Sequence, residues 1–153
     1  MKLTSIIPKE AIVPQMEATE SHEALQELSY LLAKLDSSLN AQEVYTLLEE
    51  REKLGSTGIG SGIAIPHGKI PSAKKMMGCF GRSPVGIDFQ SQDGELAHLF
   101  FVLIAPENVA GLHLKVLSKL SRMLKDKTVR EGLMTAKGVD EIFEIFLRED
   151  DKG

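Results

Sequence analysis

Apolar residues recur at helical spacing in two stretches of the first third of the chain. The first stretch follows Ser21, a plausible N-cap, and its apolar positions are Leu25, Leu28, Leu31, Leu32 and Leu35. The second stretch follows Asn40, which together with Glu43 resembles a capping box. Its apolar face consists of Val44, Leu47 and Leu48. The pattern therefore predicts two consecutive amphipathic helices.

Short apolar runs predict strands in the middle of the chain and near its start. The predicted strands cover residues 12–16, 63–65, 76–81, 85–89 and 98–105. The last run contains Leu-Phe-Phe-Val-Leu-Ile without polar alternation, which is typical of a strand that is covered on both faces. Asp93-Gly94 indicates a turn before this strand, and Pro106 ends it.

The last third of the chain again has helical periodicity. A long helix is predicted from about residue 108 to residue 125, followed by shorter helices at 129–136 and 139–147. Residues 149–153 are expected to fray as a charged tail behind a single domain of residues 1–148. Helices before, between and after the strands favour an α/β sandwich with a mixed sheet.

Composition limits the class of protein. A length of 153 residues with 42% hydrophobic content fits one globular domain with a proper core. The net charge of −4 and the lack of a basic tract argue against nucleic acid as a main partner. No stretch reads as a signal peptide or membrane span, and the lone Cys79 excludes an internal disulfide. We expect a cytoplasmic protein without stable membrane insertion.

The sequence from Leu54 to Lys69 presents one histidine. Four glycines precede the apolar run Ile63–Ile65, and Pro66, His67 and Gly68 follow it. Pro66 fixes its own φ and favours extended geometry at Ile65, so His67 should stand at a strand end in a defined pose. Gly68 leaves one side of the imidazole open. The arrangement indicates a histidine that is presented to a partner.

Two other polar residues continue apolar stripes. Arg51 extends the face of the second helix, where it either complements the C-terminal helix dipole or points its guanidinium at the glycine run. His113 shares a stripe with Leu117, Leu120 and Leu124. A lone histidine on such a face is often a satisfied core residue, but a place near a helix N-terminus also suits contact with an anion. Both interpretations stay open for each residue.

Several familiar sites are excluded by residue type or spacing. A Walker loop needs glycine at position 63 and Ser or Thr after Lys69, and the chain has isoleucine at both places. The dinucleotide fingerprint fails at Ile63 as well. No His/Cys/Asp cluster accompanies His67 and His113, which argues against zinc, and no nucleophile elbow is present. What remains is histidine as a nucleophile for a phosphoryl group, stabilised by nearby cations.

Residues 54–69, Leu-Gly-Ser-Thr-Gly-Ile-Gly-Ser-Gly-Ile-Ala-Ile-Pro-His-Gly-Lys, strongly resemble the active-site signature of enzyme IIA of the bacterial phosphoenolpyruvate-dependent phosphotransferase system, fructose/mannitol class. The preceding Leu-Glu-Glu-Arg-Glu-Lys, Asp93-Gly94, Ala105-Pro106 and the sequence from His113 to Leu120 are similar to the family too. The stand-alone length resembles the nitrogen-regulatory branch. Ser61 departs from the asparagine that is frequent in the family.

The resemblance implies a three-layer α/β/α sandwich and a phosphoryl relay. His67 would accept phosphoryl at Nε2 from a small HPr-like phosphocarrier, with the residues matching Arg51 and His113 flanking the group. No metal or cofactor is implied. From the residues themselves, we expect backbone N–H groups of the glycine loop to bind phosphoryl oxygens; the loop positions are Gly58, Gly60, Ser61, Gly62 and Gly68.

Three functions stay open at this point. The first is a regulatory phosphocarrier of the nitrogen branch, whose phosphorylation state changes which target proteins it binds. The second is a sugar-specific enzyme IIA that passes phosphoryl to a IIB domain. The third is a binding module in which His67 only contacts partners, although Arg51 and His113 would then be unexplained.

Overall fold

The computed structural model describes residues 2–108 and 110–152, without the side chains of residues 110–113. Its helices are α1 (Leu3–Ile6), α2 (Ser21–Leu35), α3 (Ala41–Leu54), α4 (Ala110–Leu124), α5 (Lys127–Thr135) and α6 (Val139–Asp151), with a 3-10 turn at Lys9–Ala11. Its strands are β1 (Ile12–Val13), β2 (Gly58–Gly60), β3 (Ile63–Ala64), β4 (His67–Lys69), β5 (Met77–Ile87) and β6 (Ala97–Ala105).

The described strands form one mixed sheet with β6 near its centre. The order is β1-β5-β6-β3-β2, and β4 pairs with β6 further along the same side as β3. β1 is parallel to β5, and both β3 and β4 are parallel to β6. β5 and β6 are antiparallel, as are β2 and β3. This architecture confirms the predicted α/β fold with a mixed sheet.

Helices cover both faces of the sheet, and the pleat of β5 shows which helices lie on which face. Phe80 packs edge-on against Phe146 of α6, with ring centroids 5.6 Å apart. On the opposite face, the Cys79 thiol lies 3.8 Å from the Leu28 carbonyl of α2. α3 packs on α2, whereas α5 packs on both α4 and α6. The sandwich therefore has α2 and α3 on one side and α4, α5 and α6 on the other.

Two predicted strands are one strand in the structure. β5 runs without a break from Met77 to Ile87, although its pairing with β6 is irregular between Arg82 and Ile87. The irregularity accommodates Pro84, which cannot donate a hydrogen bond to a regular ladder. His98 holds this segment, because its Nδ1 lies 2.8 Å from the Ser83 carbonyl oxygen. His98 therefore has a structural contact at the start of β6.

The helix caps match the sequence pattern in one case and correct it in the other. The Asn40 side chain accepts a hydrogen bond from the Glu43 N–H at 3.0 Å, which confirms the predicted cap of α3. The N-cap of α2 is Glu20, and Ser21 is the first helical residue. The Glu23 carboxylate accepts hydrogen bonds from the N–H groups of Thr19 and Glu20 at 3.0 and 3.2 Å. The start of α2 is therefore fixed by carboxylates rather than by a serine hydroxyl.

The expected frayed tail is wrong, because α6 continues through Asp151. The Asp150 side chain is only 2% exposed and forms an ion pair with Lys119 of α4 at 2.6 Å. It also accepts hydrogen bonds from the N–H groups of Leu3 and Thr4 at 2.7 and 3.0 Å. These long-range contacts hold the last turn, and a local composition argument cannot detect them.

Within the described part of the chain, no helix has the length and apolar character needed to cross a membrane.

Candidate functional site

His67 is the first residue of β4, which pairs with the second half of β6. β3 pairs with the first half of β6 on the same side. His67 lies beside Leu103 and Lys69 beside Ala105 in a parallel ladder. Two backbone hydrogen bonds bracket the strand, from Leu103 N–H to the Pro66 oxygen at 3.0 Å and from Ile70 N–H to the Ala105 oxygen at 2.8 Å. The long apolar run of β6 therefore sets the backbone position of the histidine, which begins a strand of its own rather than standing at the end of the predicted strand 63–65.

The His67 ring is oriented by a carbonyl group two residues earlier. Its Nδ1 lies 2.7 Å from the Ile65 carbonyl oxygen, and the side chain is half-buried. A carbonyl oxygen can only accept, so Nδ1 carries the proton in the neutral ring and the lone pair is on Nε2. The contact thus selects the tautomer in which Nε2 is the nucleophilic nitrogen.

The sheet pleat directs His67 towards the layer of α4, α5 and α6. Phe101 faces this layer, since its ring centroid lies 5.9 Å from that of Phe146. Leu103 is two residues further on the same face, and His67 is its neighbour in the ladder. α4 belongs to this layer as well, because Lys119 on α4 pairs with Asp150 on α6. His113 itself lies outside the described residues, so its predicted contact with the phosphoryl group stays a prediction.

Arg51 approaches β4 from the other face of the sheet. Gly68 faces α3, where a β-carbon on it would meet the Leu48 side chain at 3.6 Å. Arg51 is one helical turn beyond Leu48, and it lines an open groove of about 550 Å³ together with Gly68 and Lys69. Its Nη1 donates a hydrogen bond to the Gly55 carbonyl oxygen at 2.8 Å. Gly55 is both the C-cap of α3 and the first glycine of the run, so this contact fits both interpretations of Arg51.

The glycine run forms a tight hairpin that leads from β2 to β3. Its turn has positive φ at Gly60, Ser61 and Gly62, with values of 90°, 56° and 80°. The Ser61 N–H donates to the Asp93 carboxylate at 2.8 Å, and the backbone hydrogen bonds of that carboxylate lower the pKa of Asp93. A β-carbon on Gly60 would lie 2.9 Å from the same carboxylate. The turn therefore packs closely on the Asp93-Gly94 loop.

The position of this hairpin argues against its predicted role as a phosphoryl-binding loop. Ile63 pairs with Leu99 but His67 with Leu103, so the turn lies at the far end of β6, about 13 Å along the strand. Gly58 is occupied too, because its N–H donates to the Ser56 hydroxyl and a β-carbon there would collide with Ser91. Gly58, Gly60, Ser61 and Gly62 serve the packing of the hairpin, and of the loop positions only Gly68 lies beside His67.

A clamp formed by Glu52 was not predicted from the sequence. The Glu52 carboxylate accepts hydrogen bonds from the N–H and the hydroxyl of Thr57 at 2.9 and 2.5 Å. The Thr57 carbonyl oxygen in turn accepts from the Ile65 N–H at 3.0 Å. The end of α3 is thereby connected to the residue whose carbonyl orients His67. A carboxylate and a threonine five residues apart across a helix end have no spacing signal that would have indicated this contact.

Among the described residues, one group could bring three ligand atoms to a metal ion. Glu20, His22 and Glu23 have ligand atoms within 4.8 Å of one another at the start of α2. Glu23 already accepts the hydrogen bonds that cap α2, and His22 forms an ion pair with Glu20 at 3.7 Å. The group is therefore occupied in capping a helix, and its residues are not those of β4.

Comparison with known proteins adds a family to this geometry. Residues 5–149 match the family "Phosphoenolpyruvate-dependent sugar phosphotransferase system, EIIA 2". A nitrogen regulatory protein of Bradyrhizobium diazoefficiens is 39% identical over 145 residues, covering 95% of this chain and 94% of that protein.

Two solved structures share the fold. The crystal structure of nitrogen regulatory protein IIA-Ntr from Neisseria meningitidis has a TM-score of 0.89 and 40% identity, covering 94% of this chain and 98% of that one. The mannitol enzyme IIA of Escherichia coli, solved in complex with phosphorylated enzyme IIB, has a TM-score of 0.76 and 29% identity over 91% of this chain and 95% of that one.

Proposed function

The chain belongs to the EIIA 2 family of the phosphoenolpyruvate-dependent sugar phosphotransferase system, and from this we propose that it carries phosphoryl on Nε2 of His67. The observation that supports the proposal is the 2.7 Å contact between His67 Nδ1 and the Ile65 carbonyl oxygen. This contact places the lone pair of the neutral imidazole on Nε2. We propose an HPr-like phosphocarrier as the donor.

The transfer is a displacement at phosphorus. The Nε2 lone pair attacks the phosphorus of the donor's phosphohistidine, while the donor's N–P bond breaks and its electron pair returns to the donor imidazole. The His67 ring gains positive charge as the new N–P bond forms. The Ile65 carbonyl oxygen accepts the Nδ1–H hydrogen bond and stabilises this charge. Phosphoryl transfer depends mainly on positioning and charge stabilisation, so no separate strong base is required.

Charge on the phosphoryl oxygens needs donors around His67. We propose Arg51 and His113 for this role, with Gly68 leaving space beside the ring. Arg51 lines the groove next to Gly68 and Lys69, so its guanidinium is close to the edge of β4. A guanidinium fork can bridge two phosphoryl oxygens. His113 and Arg51 belong to helices on opposite faces of the sheet. A phosphoryl group at the edge of β4 is accessible from both of these faces.

We propose a regulatory role within the nitrogen branch, in which phosphorylation changes which target proteins the chain binds. Its support is the similarity to nitrogen regulatory proteins along nearly the whole of both chains. A sugar-specific enzyme IIA is the second candidate, because a mannitol enzyme IIA that is solved with phosphorylated enzyme IIB has the same fold. A non-phosphorylated binding module would leave the tautomer-selecting contact of His67 without a purpose.

The test is phosphorylation with enzyme I, an HPr-like carrier and phosphoenolpyruvate, followed by mass spectrometry. Wild type should gain one acid-labile, base-stable phosphoryl group, and His67→Ala should gain none while keeping its circular dichroism spectrum. His22→Ala is the matched control, since His22 is an exposed histidine on another element. Label that persists in His67→Ala would refute the assignment. Transfer from the phosphorylated protein to an isolated IIB domain would instead support sugar delivery.

A further inference from the structure

A concave basic surface lies along α4. It is an open groove of about 500 Å³ between α4, the chain start and the end of α6. Its charged lining residues are Lys2, Lys115, Lys119, Arg122 and Asp150. We call this surface the α4 groove. This local cluster of four cationic side chains contrasts with the net charge of −4 of the whole chain.

The negative charge of Asp150 does not neutralise the four positive charges that line the α4 groove. Asp150 is 2% exposed and is already bound to Lys119 at 2.6 Å. It also accepts hydrogen bonds from the Leu3 and Thr4 N–H groups. Lys2, Lys115 and Arg122 remain exposed around it. Like charges that share a concave surface favour an anionic partner, because the partner relieves their repulsion.

The basic surface extends beyond the α4 groove. A neighbouring groove shares Lys119 and Arg122 and is also lined by Glu149 and Lys152. Glu149 is bound to Lys152 at 2.7 Å, and its side chain is only 11% exposed. Glu149 thus balances Lys152 and Asp150 balances Lys119, while Lys115 and Arg122 are exposed. The basic strip follows α4 from residue 115 to residue 122 and can accompany an extended chain segment.

One apolar residue in the α4 groove narrows the class of partner. Leu114 is 66% exposed and is one of the residues that line the groove. An exposed leucine beside cations suits a protein segment that combines carboxylates with an apolar side chain. A long polyanion such as nucleic acid would meet the net negative charge of the rest of the molecule.

We propose that the α4 groove binds an acidic segment of a partner protein, with an apolar residue of the segment against Leu114. The surface goes beyond phosphoryl transfer at His67 and does not depend on it. Lys115 and Arg122 are contact residues for the carboxylates. Lys119 keeps its structural contact with Asp150 and contributes charge to the floor of the groove.

The experiment is an NMR titration of the ¹⁵N-labelled full chain with a synthetic twelve-residue peptide of glutamates around a central leucine. The amide signals of residues 115–122 and of Lys2 should shift and saturate, and affinity should fall as salt rises. The same peptide with lysines for glutamates should not bind. Heparin serves as a polyanion without apolar groups.

Lys115→Glu/Arg122→Glu is the variant that tests the groove, since both side chains are exposed and neither holds the fold. We expect the affinity for the acidic peptide to fall about tenfold or more. Lys34→Glu/Lys137→Glu is the matched control, with two exposed lysines on other elements, and should bind as wild type does. Phosphorylation of His67 should be unchanged in both variants, which separates this proposal from the proposed function.

Three results of the binding experiments would overturn the proposal. These are shifts that map outside the α4 groove, equal loss of affinity in the two double variants, and binding of heparin that competes with and exceeds that of the peptide. The last result would assign the surface to polyanions in general. Peptide-independent association of the chain with itself through residues 115–122, seen by sedimentation, would assign the groove to a second copy instead.

Discussion

Arg51 already has one hydrogen-bond partner, and this contact sharpens the test of its role. Nη1 donates to the Gly55 oxygen, which leaves the rest of the guanidinium fork for a phosphoryl group. Arg51→Lys keeps the charge but loses the fork. We expect the phosphorylated state to lose about 1–3 kcal/mol, the scale of charged hydrogen bonds.

The measurement for Arg51→Lys is the equilibrium of phosphoryl between the HPr-like carrier and His67. A thermal unfolding curve of the same variant reports the loss of the helix-end contact separately. Lys53→Arg on the same helix is a control, since Lys53 is exposed and pairs with Glu49. If Arg51→Lys holds phosphoryl as wild type does, Arg51 is a helix-end charge only.

His113 and His98 make a useful pair of variants. We expect His113→Ala to slow phosphoryl transfer while His67 is still phosphorylated, because an imidazole near a helix N-terminus can donate to an anion. His98→Ala should lower stability instead, since His98 bonds the Ser83 carbonyl and lies against Gly86. Its transfer rate per folded molecule should be normal. Rapid-quench measurement of the transfer rate and thermal unfolding separate the two outcomes. If His113→Ala loses stability but transfers phosphoryl at the normal rate, His113 is a structural residue.

At the scale of elements, the turn between β2 and β3 gives a direct test of what the glycines do. Gly60→Ala places a β-carbon at φ 90°, 2.9 Å from the Asp93 carboxylate. We expect a loss of about 1 kcal/mol or more in the free energy of unfolding. Phosphoryl transfer per folded molecule should stay normal, because the turn lies far along β6 from His67.

The control variant for Gly60→Ala is Gly138→Ala, at the start of α6. There φ is 176°, and nothing lies within 4 Å of the added β-carbon. Its stability should be close to that of wild type. Urea unfolding and single-turnover transfer are the two measurements. A transfer defect in Gly60→Ala that exceeds its loss of folded protein would restore the turn as a phosphoryl-binding loop.

The sequence predicted most elements because their signals are local. The leucine spacing of α2, the cap Asn40 and the apolar run of β6 each depend on neighbouring residues, and each is found in the structure. The prediction of a defined backbone pose for His67 rested on the adjacent Pro66, but the pairing of β4 with β6 was not predicted. The role of the glycine run depends instead on which part of the sheet faces it, and Asp93 and Ser91 are distant in sequence. The register of β3 and β4 on β6 determines how far the glycine run lies from His67, and no local sequence pattern predicts that register.

At the scale of the whole molecule, Asp150 ties three separated parts of the chain together. It joins α6 to Lys119 of α4 and to the N–H groups of Leu3 and Thr4 at the start of α1. α4 is also the helix that contains His113 and the basic strip at residues 115–122. The contacts of Asp150 therefore fix the layer of helices that His67 faces.

The pKa of Asp150 gives this tie a measurable pH dependence. Burial alone would raise the pKa, but the hydrogen bonds from Lys119, Thr4 and Leu3 outweigh it and lower the pKa below the ordinary 3.8. A carboxyl group whose pKa is lower in the folded state stabilises the protein above its unfolded pKa. That stabilisation disappears as the pH falls through the folded pKa.

Asp150→Asn should therefore cost stability at neutral pH and progressively less in acid. At pH 7 we expect a loss of about 1–3 kcal/mol in the free energy of unfolding, because the charged hydrogen bond between Lys119 and the Asp150 carboxylate is removed. The difference from wild type should shrink as the pH falls from about 4, where the carboxyl group of the unfolded chain takes up its proton, down through the lower pKa of the folded state. Urea unfolding of both proteins at a series of pH values measures the difference, and Asp151→Asn, an exposed neighbour, controls for the lost charge. A difference that is independent of pH would mean that shape rather than charge at Asp150 holds the two ends of the chain together.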